Sequence, residues 1–137
     1  MSIQEITVET RVAGPVEKAW RAYTTPEDIK QWNAASEDWH CPEATVDLRE
    51  GGTFMSRMEA RDGSMGFDFT GTYKTMKIHE LIEYTFGDRA GRVEFIPDGD
   101  GTRLRVIFDA ETESTIEEQR DGWQSILDNF KRHVEAN

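Results

Sequence analysis

From Ala44 to Ala110 the chain alternates apolar and polar residues in short runs. The runs break only at turn signals: Gly51-Gly52, Asp62-Gly63, Asp88 to Gly91, and Asp98 to Gly101. A period of two is what a strand with one buried and one wet face requires, and breaks of this kind join strands into hairpins. Phe67, Phe69, Gly71 and Tyr73 share one face, as do Ile82, Tyr84 and Phe86, then Val93 and Phe95, then Leu104, Val106 and Phe108. The opposite positions, among them Asp68, Thr70, Glu83, Glu94, Arg103 and Arg105, are polar. The pattern predicts a six-strand antiparallel meander whose apolar face must be covered by something else.

The cover is written at the end of the chain. Thr115 and Glu118 have capping-box spacing, and Ile116, Trp123, Ile126, Leu127, Phe130 and Val134 form one helical stripe. A helix from Thr115 to Glu135 spans about 31 Å, enough to cross a sheet. Before the meander, Ile3 to Val12 alternates as a half-buried strand that Gly14-Pro15 ends. Pro15 suits the first position of a short helix carrying Val16, Ala19, Trp20 and Tyr23. Thr25 is placed to cap a second, with Ile29 and Trp32 on its apolar side. Residues 33–43 have no period and contain Pro42, so they read as a loop. The fold class is α+β: a curved antiparallel sheet, one long C-terminal helix across it, and two short helices after the first strand.

Charge and cysteine content narrow the function classes. The 137 residues carry 27 acidic and 16 basic side chains, a formal charge of −11, and fit one domain over residues 1–137. Such a field repels a phosphate backbone and an anionic membrane surface, so no nucleic-acid partner is expected. No apolar run approaches the ~20 residues needed for membrane insertion, and the alternating start lacks the pattern of a signal peptide. Cys41 is the only cysteine, which permits no intrachain disulfide and fits a reducing, cytoplasmic setting. An unpaired strand edge leaves a homodimer open.

Five stretches, in order, carry a family resemblance. They are Gly14 to Trp20 after the first strand, Thr25-Pro26-Glu27-Asp28-Ile29-Lys30-Gln31-Trp32, Glu50 to Phe54, Phe69 to Tyr73, and Gly122 to Leu127. Together they resemble the START-like (SRPBCC, Bet v 1-like) superfamily, and within it the activator of Hsp90 ATPase homologue 1-like family. The resemblance implies a helix-grip fold in which sheet and long helix enclose a cavity. Members of the superfamily bind lipids, polyketides or other apolar compounds, and some are cyclases or hydrolases. The branch has no catalytic motif to carry over, so no catalytic residue and no cofactor is assigned. Its eukaryotic namesake has an additional N-terminal domain for which these residues leave no room, so chaperone interaction is the more distant alternative.

The aromatic surplus points to where a ligand would sit. Phe54, Phe67, Phe69, Tyr73, Tyr84, Phe86, Phe95, Trp123 and Phe130 are all expected between sheet and helix, with Ile126 and Leu127 beside them. Met58 joins Phe54 on the inward face, the only methionine that alternation places there. Ser56, Tyr73 and Tyr84 are candidates for orienting a ligand, with Trp32 near a mouth at the first end of the final helix. The same rings can equally fill a plain core. Trp39-His40-Cys41 places a thiol beside an imidazole, but neighbours on an extended chain point apart, and His79 and His133 lack metal-ligand spacing, so no metal is expected. Asp38, Glu43, Asp47, Glu50, Glu59, Asp62 and Asp68 fall on solvent-side or turn positions. An enzymatic reading requires a buried ionisable group with a perturbed pKa facing the cavity.

Overall fold

The computed structural model describes residues 4–136. Strand β1 (Glu5–Ala13) leads into helices α1 (Val16–Thr24) and α2 (Pro26–Trp32). Six strands follow: β2 (Trp39–Val46), β3 (Thr53–Ala60), β4 (Gly66–Lys77), β5 (Leu81–Phe86), β6 (Arg89–Asp98) and β7 (Gly101–Asp109). Helix α3 (Ile116–Ala136) closes the chain. The sheet is antiparallel throughout, in the order β1-β7-β6-β5-β4-β3-β2, and curls into a half-barrel around α3. The helix-grip fold is therefore present, with both short helices where the sequence puts them. Ile3, read as the start of the first strand, lies outside the described residues.

Local chemistry explains the ends of α3. The Thr115 hydroxyl accepts the Glu118 backbone N–H at 3.0 Å, and a Glu118 carboxylate oxygen accepts the Thr115 N–H at 3.2 Å. That reciprocal pair is the capping box. Gln119 is buried, accepting the Glu111 N–H at 2.8 Å and donating to the Glu111 and Ser114 carbonyls at 3.0 Å, which fixes the approach to the helix. At the other end His133 meets Asp28 of α2 at 2.8 Å, and Glu135 accepts the Ala13 N–H at 2.9 Å. The outward face of the sheet carries cross-strand ion pairs, Glu9–Arg105 and Arg105–Glu94 at 3.3 Å and Arg92–Glu94 at 3.4 Å.

Several boundaries differ from the sequence reading, each for a physical reason. Residues 39–43 are strand rather than loop. β2 is an edge strand with a register shift between His40 and Glu43, so Pro42, with no N–H to donate, costs the ladder nothing. Pro15 is the extended residue before α1 rather than its first helical residue, and Thr25 precedes α2 without a side-chain capping bond. The β5–β6 turn is Gly87-Asp88, with Gly87 at φ 62°, so Gly91 sits within β6. A second bulge, between Tyr73 and Thr75, shifts the later part of β4 and pairs Met76 with Ile82. Met76 thereby packs on the core, against the expectation that Met58 alone among the methionines does so.

Candidate functional site

Between α3 and the concave face of β3, β4 and β5 lies a cavity of about 230 Å³. Its floor is Phe54, Ser56 and Met58 of β3, Phe67, Phe69 and Tyr73 of β4, and Ile82 and Tyr84 of β5, with Val106 of β7 behind. Trp123, Ile126 and Leu127 of α3 form the roof. Tyr23, Ile29, Trp32 and Asn33 close one end, and Thr45 and Val46 of β2 complete the wall. A wider groove of about 560 Å³ lies elsewhere, along α2, the segment before β2, and α3, with polar residues such as Gln31, Ser36, Asp128 and Arg132 along it.

The rings hold one another in place. Phe54 sits 5.0 Å from Tyr73 and 5.5 Å from Tyr84, centroid to centroid, and Phe69 sits 6.0 Å from Phe54. Trp123 stacks on Phe108 at 3.8 Å with the planes 12° apart, leaving its edge toward Phe69 at 6.2 Å. Two glycines make room for this layer. A Cβ on Gly71 would stand 2.4 Å from the Phe54 ring, and one on Gly91 would stand 2.5 Å from the Tyr84 ring. A strand glycine here marks a close approach by a neighbouring ring.

Trp32 is an end wall and not a mouth: it is 5% exposed, and its indole N–H donates to the Ala22 carbonyl at 3.0 Å. Phe67, which also lines the cavity, is 51% exposed, with its ring 6.0 Å from Trp39. Phe86, Phe95 and Phe130, expected to line the cavity, do not. Phe86 is buried behind Phe69 and Trp123, with the Arg89 guanidinium 4.6 Å above its ring. Phe95 packs under Trp20 and Tyr23, and Phe130 sits between Tyr23 and Trp32 at 5.5 and 5.1 Å. Alternation assigns a face to a side chain but not its depth.

Sequence reasoning missed Tyr23, Ile29, Asn33, Thr45, Val46, Ile82 and Val106 as lining residues. Tyr23 was visible on the helical stripe of α1, and Ile82 and Val106 on inward strand faces, but nothing local distinguishes a wall from a core. The Trp39-His40-Cys41 group does not form a reactive site. Cys41 is buried, its thiol donates to the Glu43 carbonyl at 3.4 Å and is hydrogen-bonded to Ser56, and burial pushes its pKa up. A reactive thiol needs the opposite shift.

The tyrosines are the ionisable groups that the enzymatic reading asks for. Burial raises all three, Tyr73 to about 12. A raised phenol stays protonated at neutral pH, which makes it a hydrogen-bond donor and not a base. No carboxylate, imidazole, thiol or amine stands among the described residues that line the cavity.

A curled sheet gripping a long helix over a ring-lined cavity defines the START-like class. The profile of the family described as activator of Hsp90 ATPase homolog 1-like protein matches residues 13–135, and the chain belongs to that family. An AHSA1-like protein of Aeromonas hydrophila, solved by NMR, is 44% identical, superposes with a TM-score of 0.91, and aligns over 97% of this chain and 93% of its own. A Cytophaga hutchinsonii protein solved in solution is 46% identical at TM-score 0.84, again over 97% and 93%. A Chromobacterium violaceum crystal structure shares the fold at 24% identity and TM-score 0.87, covering 98% and 99%. No functionally curated protein matches the chain. Among the described residues no helix is long and apolar enough to cross a membrane.

Proposed function

We propose that the protein binds a small, mostly apolar molecule in the cavity between α3 and β3–β5. The observation that carries this reading is a cavity of about 230 Å³ walled by aromatic and aliphatic side chains with no charged group on it. A folded chain gains dispersion contacts by closing such a space, so one left open and lined with rings suits an occupant. Cavities of ~150 Å³ take benzene, so this volume suits an occupant on the order of ten non-hydrogen atoms. The absence of a base on the described wall favours binding over turnover in the same cavity.

The test is an NMR titration with indane, a hydrocarbon of the right size. Saturable shifts confined to wall residues such as Phe54, Ile82 and Ile126 support the proposal. No saturable shift up to the solubility limit of indane refutes it.

A further inference from the structure

The wall contains three polar groups that the protein itself leaves unused. Tyr73 and Tyr84 are 7% and 6% exposed, and Tyr23 is closely surrounded by rings. None of the three hydroxyls has a hydrogen-bond partner among the described residues, and none is sealed away from accessible space. All three residues line the cavity, which is the open space within reach of their hydroxyls. Every tyrosine of the chain is in this group.

Their placement converges. Tyr73 and Tyr84 are directly opposite each other in the β4–β5 register, and both rings touch Phe54. Tyr23 reaches the same space from α1, and each of the sheet tyrosines acts electrostatically on it or feels it. An unpaired phenol in an apolar enclosure is costly, and such groups in folded proteins otherwise find partners. Three from three separate elements at one place make a donor cluster. We infer that the cavity's occupant carries one uncharged hydrogen-bond-accepting oxygen, a carbonyl or hydroxyl, on an otherwise apolar skeleton, and that Tyr23, Tyr73 and Tyr84 bind that oxygen.

The accepting oxygen is uncharged because nothing on the wall compensates an anion. No Lys, Arg or His lines the cavity, and Arg89, the cation that Tyr84 feels, lies over Phe86 and donates to the Asp109 carbonyl at 3.0 Å. The burial that holds these phenols neutral disfavours a carboxylate beside them in the same way. A phenol donor also discriminates: a skeleton without an acceptor leaves the hydroxyls unpaired on binding.

This inference rests on the binding reading, and the experiment separates the two. Binding of indane, 1-indanone and indane-2-carboxylate is measured by NMR on protein labelled at the tyrosine Cζ carbons, which give three signals. The expected result is that 1-indanone binds about tenfold more tightly than indane or more, a preference that the triple variant Tyr23→Phe, Tyr73→Phe, Tyr84→Phe abolishes. The tyrosine Cζ signals move with 1-indanone well beyond their response to indane. Equal affinity for indane and 1-indanone overturns the inference and leaves the binding reading standing. Tightest binding by the carboxylate overturns it as well, as does a ketone preference that survives in the triple variant. Failure of all three probes removes the binding reading and the inference with it. The wild-type comparison of the probes needs no variant to fold.

Discussion

The two halves of the sheet solve the same packing problem differently. Under β1, β7 and β6 the inward residues are mostly aliphatic: Ile6, Val8, Val12, Val93, Leu104 and Val106 are essentially inaccessible, and Phe130 and Val134 of α3 fill the space above. Under β3, β4 and β5 the inward residues are mostly rings, and Phe54 and Phe69 are only partly buried. Helix α3 repeats the contrast along its length, burying Leu127, Phe130 and Val134 while Trp123 and Ile126 stay half-buried over the cavity. Branched aliphatics interdigitate to crystal-like density, whereas planar rings propped against one another leave gaps at their edges. The first half is closely packed, and the open space lies against the second.

The largest effect expected of that contrast comes from truncating one ring in each half. Phe130→Ala removes a ring with 0% exposure, clasped by Tyr23 and Trp32, and should cost about 3–5 kcal/mol. Phe54→Ala removes a ring that already lacks neighbours on its cavity side, and should cost on the order of 1–2 kcal/mol. Urea unfolding of both variants measures the difference. Equal losses would mean the two halves are packed alike, and the comparison would fail.

Gly91→Ala tests the layer from beneath. The added methyl would lie 2.5 Å from the Tyr84 ring, which must shift to admit it. Overpacking of this kind costs about 1–3 kcal/mol. The displaced ring should also shrink the cavity, so 1-indanone affinity should fall together with stability. A variant as stable as the wild type, binding as well, would show that the ring does not rest on the glycine.

The same contrast explains what the sequence disclosed. Element order and inward faces were readable because period two and period 3.6 are imposed residue by residue, and the capping box at Thr115 and Glu118 is a local motif. The first half of β2, residues 39–43, was hidden because Pro42 signals a break, and only the edge position of the strand makes it harmless. The inward turn of Met76 was hidden because a bulge adds one residue to the count. Cavity residues were legible as inward-facing but not as lining: Phe86 and Tyr84 stand two apart on one strand, and only the approach of Trp123 and Arg89 decides which is sealed. Depth is a property of the whole assembly.

Alkaline pH should act at the cavity, which all three tyrosines line. Burial raises their folded-state pKa above the ordinary 10.0, Tyr73 to about 12. On raising the pH the unfolded chain therefore loses these protons first. The stability tied to the neutral phenols is complete below pH 10 and is lost as the pH climbs toward the folded values. Each tyrosine should account for on the order of 1 kcal/mol of loss by about pH 11, a share that Tyr73→Phe or Tyr84→Phe removes. Denaturant titrations across that range, with tyrosinate absorbance as a second signal, measure it. Stability that stays flat above pH 10 would place the hydroxyls in bulk water and not in the cavity.

The smallest effect belongs to Gly122, inside α3 and next to Trp123. A Cβ there meets nothing within 4 Å, and the residue has no positive φ that would require glycine. An interior helical glycine costs about 0.5–1 kcal/mol against alanine through backbone entropy, so Gly122→Ala should stabilise the protein by that amount. Because the added methyl touches no wall residue, indane and 1-indanone affinities at equilibrium should be unchanged. Thermal unfolding together with the two titrations decides the matter. A gain in stability accompanied by weaker binding would mean that the cavity half depends on a helix able to give way at Gly122, so that the roof over β3–β5 is held loosely by sequence as well as by packing.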